Sequence, residues 1–244
     1  MLASVKRFQI MVTAESPVRV GGSRDPVRGV DLPMATVAGR PVIPGASFKG
    51  ALRAELGSYL LGLAKASSEL RPCIPAAQPS QQEKELVGQG FRPKACSVQE
   101  EAGEGKRETI CPACYLLGAQ GLVGFVSVPF LYAAVGQEDL VEIAIDGASG
   151  TTRSGSLRSL EFVGTKATFS GVLEVVLRDP VRGWKLGLPR PQFSREDQWV
   201  ADGSWPAERI EKELVLDRLE AIKRLGGFKS KGYGRVSVKV TEIL

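Results

Sequence analysis

The chain has 244 residues, 43% of them hydrophobic and 24% charged, and carries a net charge of +5. That length gives one large domain or two small ones, and the apolar share excludes wholesale disorder. Histidine is absent, which excludes Ser-His-Asp and Cys-His triads, imidazole general bases and His-ligated metals.

No apolar run approaches the roughly 20 residues of a membrane-spanning helix, so no membrane partner is expected. The opening residues lack the apolar stretch and cleavage site of a secretory signal, and a cytoplasmic location is expected. The positive charge is concentrated. Residues 222–240 carry Lys223, Arg224, Lys229, Lys231, Arg235 and Lys239 with no acid, a stripe that suits a polyanionic partner such as nucleic acid or, on the blander view, a solvated basic face.

Along the chain, the alternation of Phe8, Ile10 and Val12 predicts a strand over residues 4–13. A loop follows through Val20-Gly21-Gly22-Ser23-Arg24-Asp25-Pro26. After Pro41-Val42-Ile43-Pro44-Gly45, the spacing of Phe48, Leu52, Leu56, Leu60 and Leu63 predicts a helix with Ser47 as its N-cap. Lys49 and Arg53, four apart, project from one side of that helix near its start. A helix start is a ready phosphate site; the alternative is an ordinary cap with two solvated charges.

Residues 67–109 are polar and rich in proline, as expected of an insertion with little core of its own. Strand character returns at 121–135, 140–145, 155–163 and 168–177. Residues 178–206 form a long irregular connection holding Trp184, Trp199 and Trp205, which are expected to pack. A second amphipathic helix is predicted over 207–225, stopped by Gly226-Gly227, and a last strand over 233–243. The order strand, helix, strands, helix, strand predicts an α+β fold with a ferredoxin-like (RRM-like) βαββαβ core.

All four cysteines, Cys73, Cys96, Cys111 and Cys114, lie in the polar stretch or just after it. Cys111-Pro112-Ala113-Cys114 has the spacing at which two thiolates share a tetrahedral metal, and a polar segment needs something to fold around. The set predicts a structural zinc site with four cysteine ligands; the alternative is a redox-active or core-forming C-x-x-C pair. A second constellation, Gly227-Phe228-Lys229-Ser230-Lys231-Gly232-Tyr233-Gly234-Arg235, joins flexible backbone to three cations, a hydroxyl and two aromatic rings. It matches neither a Walker loop nor a Rossmann turn. Phosphate-backbone binding accounts for the whole segment, where a helix cap accounts only for Gly226 and Gly227.

Together with Pro41-Val42-Ile43-Pro44-Gly45-Ala46-Ser47-Phe48-Lys49-Gly50-Ala51-Leu52-Arg53, this loop resembles the RAMP superfamily of CRISPR-associated RNA-binding proteins. Further similarities lie in Val20-Gly21-Gly22-Ser23, Val30-Asp31-Leu32-Pro33, the run Cys-Pro-Ala-Cys-Tyr-Leu-Leu-Gly over 111–118, and Ile145-Asp146-Gly147-Ala148-Ser149-Gly150-Thr151-Thr152. These are similar to the repeating backbone subunit of type III CRISPR effector complexes. The resemblance implies one RAMP domain over 1–244, with 65–118 as a zinc-binding insertion and about 136–168 as a thumb-like β-hairpin.

It further implies assembly along a CRISPR guide RNA with other effector subunits and with further copies or related RAMP subunits. RNA contacts are then expected at Gly21, Gly22, Ser23, Ser47, Lys49, Arg53, Thr152, Arg153, Gly227, Phe228, Lys229, Ser230, Lys231, Gly232, Tyr233 and Arg235. Complementary target RNA would be cleaved through a loop aspartate, which the D-x-P match places at Asp31. Asp31 would bind Mg²⁺ or assist proton removal from the 2′-OH. An Asx-Pro turn is the competing account of Asp31, and a catalytically inactive RNA-holding subunit is the corresponding function. Without the resemblance, the residues describe a stand-alone zinc-containing nucleic-acid-binding module.

Overall fold

The computed structural model describes residues 3–22, 29–65, 67–76, 78–98, 109–143, 145–153 and 155–243. The alternating N-terminal segment forms β1 (Ser4–Ala14), with Phe8, Ile10, Val12 and Ala14 turned into the core. Two short strands, β2 (Thr36–Val37) and β3 (Arg40–Ile43), lead to α1 (Gly45–Leu63). Phe48, Leu52, Leu56 and Leu60 are buried on one face of α1, as the spacing predicts. The start of the helix differs from expectation. Pro44 holds the N-cap position, and its carbonyl accepts from the Ser47 N–H at 2.9 Å, so Ser47 sits within the first turn with its side chain exposed. Proline needs no donor there and its φ already suits helix entry.

The polar stretch supplies α2 (Gln81–Gly88), which buries none of its residues and begins with a capping box between Ser80 and Glu83. A short helix, α3 (Pro112–Leu117), is by contrast buried throughout. The apolar run over 121–135 divides into β4 (Val126–Ser127) and β5 (Leu131–Ala133), broken around Pro129. Then come β6 (Glu138–Glu142), β7 (Arg158–Phe162), β8 (Thr168–Asp179) and β9 (Trp184–Lys185). The last helix, α4, runs continuously from Ala207–Arg209 through a π-helical stretch, Ile210–Leu216, to Asp217–Ala221. It ends four residues before the predicted stop. Lys223 and Leu225 leave the helix to bond across to Val236 and Gly234, the approach to β10 (Val236–Ile243).

The main sheet is antiparallel in the order β10-β1-β8-β5-β3-β2, with β4 and β9 also paired to β8. Ile10 stands opposite both Val240 and Gly171, and α1 and α4 contribute to the same buried cluster as the strands. The fold is thus α+β with helices packed on an antiparallel sheet. β6 and β7 form a separate two-stranded hairpin in which Leu140 faces Leu160. Leu140, Val141, Ile143, Ile145 and Leu157 are exposed along it.

The long connection over 178–206 has an organising element that sequence patterning gives no sign of. Arg190 is 0% exposed and forks onto Asp197, Nη2 to Oδ1 at 2.6 Å and Nε to Oδ2 at 2.7 Å. Its guanidinium lies 4.8 Å from the Tyr115 ring centroid and 5.3 Å from that of Trp184. All three tryptophans are buried, as expected of packing residues. Arg190→Met strands the Asp197 carboxylate in the core, and such a loss costs about 3–5 kcal/mol. In thermal melts of a chain this size that is a fall on the order of 10 °C, and Arg190→Met combined with Asp197→Leu should recover most of it.

Candidate nucleic-acid interface and metal centre

Three separate pieces of backbone bring the cysteines together. The stretch after Leu70 pairs with Arg92, placing Cys73; Ser97 pairs with Gln120, placing Cys96; and α3 carries Cys111 at its N-cap and Cys114 one turn later. The four Sγ atoms lie within 4.8 Å of one another, all four residues are buried, and none is in a disulfide. Cys73 and Cys114 sulfurs are 3.4 Å apart, and the Cys111 N–H donates to Cys96 Sγ at 3.4 Å.

Within this cluster the electrostatics favour negative charge on Cys114 and Cys73 and oppose it on Cys96 and Cys111. Hydrogen bonds from Cys111, Cys73 and Cys96 hold the Cys114 thiol far below the ordinary range, and the Arg53 charge adds to that against the cost of burial. Cys111, which donates to Cys114 and is deeply buried, is pushed the other way. Arg53 Nη1 donates to Cys114 Sγ at 3.3 Å and Nη2 to the Gly118 carbonyl at 2.9 Å. Four thiol donors in a dry setting match the donor set of a closed tetrahedral zinc site, whose sulfurs at about 2.3 Å from the metal would stand about 3.8 Å apart.

A second centre forms where the loop after β1 meets the hairpin. Residues 31–34 lie between two neighbours. On one side Leu32 exchanges backbone bonds with Ser159 and Glu161 of β7; on the other Gly22 donates to the Pro33 carbonyl at 3.0 Å and Ala35 to Val20 at 2.8 Å. A Cβ at Gly22 would come within 2.6 Å of the Met34 carbonyl, so this approach requires glycine. Asp31 is thereby fixed against Ser159. Its Oδ2 accepts from the Ser159 N–H at 3.0 Å, while the Asp31 N–H donates to Ser159 Oγ at 3.0 Å. Behind it, the buried Glu161 accepts from the Met34 N–H at 2.8 Å.

Arg19 links this loop to the glycine-rich one. Its side chain reaches the Leu32 and Pro33 carbonyls at 3.4 Å each and lies 5.2 Å from the Phe228 ring centroid. Its own carbonyl accepts from the Gly227 N–H at 2.8 Å. Gly226, with φ +81°, packs so closely on the Arg19 carbonyl that no side chain fits. Lys229, Ser230, Lys231, Gly232 and Arg235 are exposed and Phe228 half-buried. Tyr233 is only 9% exposed and packs edge-on to Phe162 and Phe228, so its ring is part of the packing. Lys231 reaches across to Glu142 of β6 at 3.1 Å, tying the loop to the hairpin.

Of the other predicted residues, Gly21 is exposed beside Gly22, and Thr152 and Arg153 are exposed at the hairpin's far end, where Asp146 accepts from the Ala148 and Ser149 N–H groups. Lys49 is half-buried; burial and the neighbouring Arg53 hold its ammonium pKa down, against the Cys114 charge. Arg53 faces the cysteines. Ser23, Asp25 and Pro26 lie outside the described residues. Arg19, Ser159 and Glu161 escape the sequence reading; the single hint is a cation between two apolar residues in Val18-Arg19-Val20.

The family model for the RAMP superfamily matches residues 11–237. No curated protein matches the chain. Among solved structures, one similar chain belongs to the cryo-EM structure of the Type III-B Cmr-beta bound to cognate target RNA. Its TM-score is 0.49 and its identity 14%, over 98% of this chain and 61% of that one. The chain therefore spans less than two thirds of that relative's length.

Proposed function

The chain belongs to the RAMP superfamily, and from that premise we propose that it is a guide-RNA-binding backbone subunit of a type III CRISPR effector complex that cuts complementary target RNA. The observation that carries the proposal is the convergence of the Asp31 loop, the glycine-rich loop and the β6–β7 hairpin through Ser159, Arg19 and the Lys231–Glu142 pair. A basic loop for a guide backbone and a carboxylate at the root of a projecting hairpin are the two parts such a subunit needs.

The core strands in the order β10-β1-β8-β5, with α1 and α4 in the two crossovers, support a ferredoxin-like reading of the sheet. Residues 65–118 are read as the zinc-binding insertion and 136–168 as the thumb-like hairpin of one RAMP domain over 1–244. Cys73, Cys96, Cys111 and Cys114 would hold the zinc, and four sulfur ligands leave no open coordination position, so the metal would supply folding energy and no chemistry.

Cleavage follows from RNA's own nucleophile. The target 2′-OH attacks the adjacent phosphorus, forming the P–O2′ bond; the P–O5′ bond breaks, and the leaving 5′-oxygen takes a proton from water. Asp31 accepts the 2′ proton and the hairpin holds the backbone in line. The 5′ fragment keeps a 2′,3′-cyclic phosphate and the 3′ fragment a 5′-OH. Among the described residues the one cluster of three or more metal-binding side chains is the cysteine set. Sulfur does not suit Mg²⁺; Asp31 would hold that ion only together with phosphate oxygens of bound RNA, where it would supply charge stabilisation. The Ser159 bonds to Asp31 favour a second reading, in which the aspartate only shapes the loop of an RNA-holding subunit.

The test of guide binding uses the assembled complex with Lys229, Lys231 and Arg235 changed to alanine. Guide affinity should fall and its dependence on log salt should flatten by about 2, from roughly 0.7 per lost phosphate contact. An unchanged slope would remove the loop from the RNA path.

A further inference from the structure

The helical spacing of Lys49 and Arg53 places both on one side of α1, where RNA contacts are expected, yet Arg53 turns toward the cysteines. Its two outer nitrogens are both committed, Nη1 to Cys114 Sγ at 3.3 Å and Nη2 to the Gly118 carbonyl at 2.9 Å. Four thiolates around a divalent cation carry a net charge of about −2, and an uncompensated charge in a dry interior is costly. The chain neighbours of Cys111 and Cys114, namely Ile110, Tyr115 and Leu116, are all buried and without charge. The Arg53 guanidinium is the cation that donates directly to a cluster sulfur among the described residues, and the Cys111 N–H adds a neutral donor to Cys96.

We propose that Arg53 is a positioning residue of the metal centre, compensating its negative charge and fixing α3 against α1, and that it is not a guide-RNA contact. The inference rests on reading the four cysteines as a zinc site. Its physical content lies in the fork. One N–H meets the sulfur of Cys114 near the start of α3 while its neighbour meets the carbonyl at Gly118, just past the end. The short helix is thereby gripped at both ends by a side chain from the first helix of the core. Lys49, one turn earlier, lies within electrostatic range of Cys114 and is the nearer candidate for RNA.

The experiment measures zinc affinity of the full chain by competition with a chromophoric chelator, for the natural protein, R53Q and R53K. Glutamine retains a donor for the Gly118 carbonyl and removes the charge; lysine retains the charge and loses the fork. R53Q should bind zinc about 10–100-fold more weakly, as outer-shell losses do, and R53K should recover most of that. With zinc bound, guide-RNA binding by R53Q should keep its salt slope, while K49A should lower it by about 0.7.

Zinc affinity in R53Q equal to that of the natural protein, or equal losses in R53Q and R53K, would overturn the compensating role. A reduced salt slope in zinc-loaded R53Q would return Arg53 to the RNA. Should R53Q not fold, R53K decides: affinity close to natural supports the charge role, and a loss of about tenfold or more opposes it. If the natural protein binds no zinc, the reading of the cysteines fails first and the role of Arg53 falls with it.

Discussion

Changing Cys111 to serine, or stripping metal with a chelator, is expected to cost the chain most of its stability. Structural zinc sites contribute apparent binding free energies of about 10–16 kcal/mol, comparable to the whole stability of an ordinary domain. The polar stretch has little to replace it with, since α2 buries no residue. The damage should not stay local. Cys111 and Cys114 bracket the first turn of α3, and Tyr115, Leu116 and Leu117 of that helix are in the main core. A loss of even 5 kcal/mol lowers the melting temperature by about 10–20 °C for this length.

Metal analysis should give one zinc per chain, and melts with and without chelator should differ by at least that margin. An unchanged melt, or a metal-free natural protein, would refute the site. Acid should release the metal, because the Cys114 thiolate, held below the ordinary thiol range by its neighbours, is the charged form that binds. A depressed pKa gives stability that is fully present above the ordinary thiol pKa and is lost progressively as pH falls and protons take back the sulfurs.

Asp31→Ala should leave complex assembly and target binding intact and reduce target cutting by about 10²–10⁴-fold, the usual contribution of a positioned acid–base group. Asp31→Asn is the sharper variant. Its side-chain oxygen can still accept from the Ser159 N–H, which Asp31 Oδ2 now does at 3.0 Å, so the loop keeps its shape while the proton acceptor is lost. Cleavage lost in both variants assigns the chemistry to the carboxylate. Cleavage kept in the asparagine variant and lost in alanine makes Asp31 a loop-shaping residue, and full cutting in both places the active group elsewhere. Product ends read by mobility before and after phosphatase treatment report whether the 2′-OH is the nucleophile.

Much of this was readable from local pattern. The period-2 runs in β1, β8 and β10 and the 3.6-residue spacing in α1 each name their own buried face, and the two motif-bearing segments around Pro44 and Gly232 point to the superfamily that the family match shows. What sequence could not supply was pairing at a distance. Asp31 meets Ser159 across 128 residues, and the end of α4 is decided by strand partners around Gly234 and Val236. Ser47 looked like a cap because its residue type favours that place, but Pro44 had already started the helix. The Ser80-Gln81-Gln82-Glu83 capping box is legible in sequence, but the prolines around it argue for a loop. Arg190 and Asp197 are two ordinary charges in sequence; only the aromatic walls around them make them a buried pair.

The contacts of Gly22 and Gly226 carry a consequence for how this surface can change over time. Both glycines press directly on a neighbouring carbonyl, Met34 and Arg19 respectively, so each is closed to any side chain at all. Between Gly226 and Gly232, itself in the left-handed region at φ +89°, the exposed tip, residues 229–231, meets no such obstacle. Mutational freedom is thus sorted by backbone proximity: the frame holding the two loops together admits no decoration, while charge and hydrogen-bonding groups at the tip can be exchanged one by one. On the proposed RNA-binding role, a lineage can retune how strongly the loop grips a strand without ever touching the scaffold that aims it.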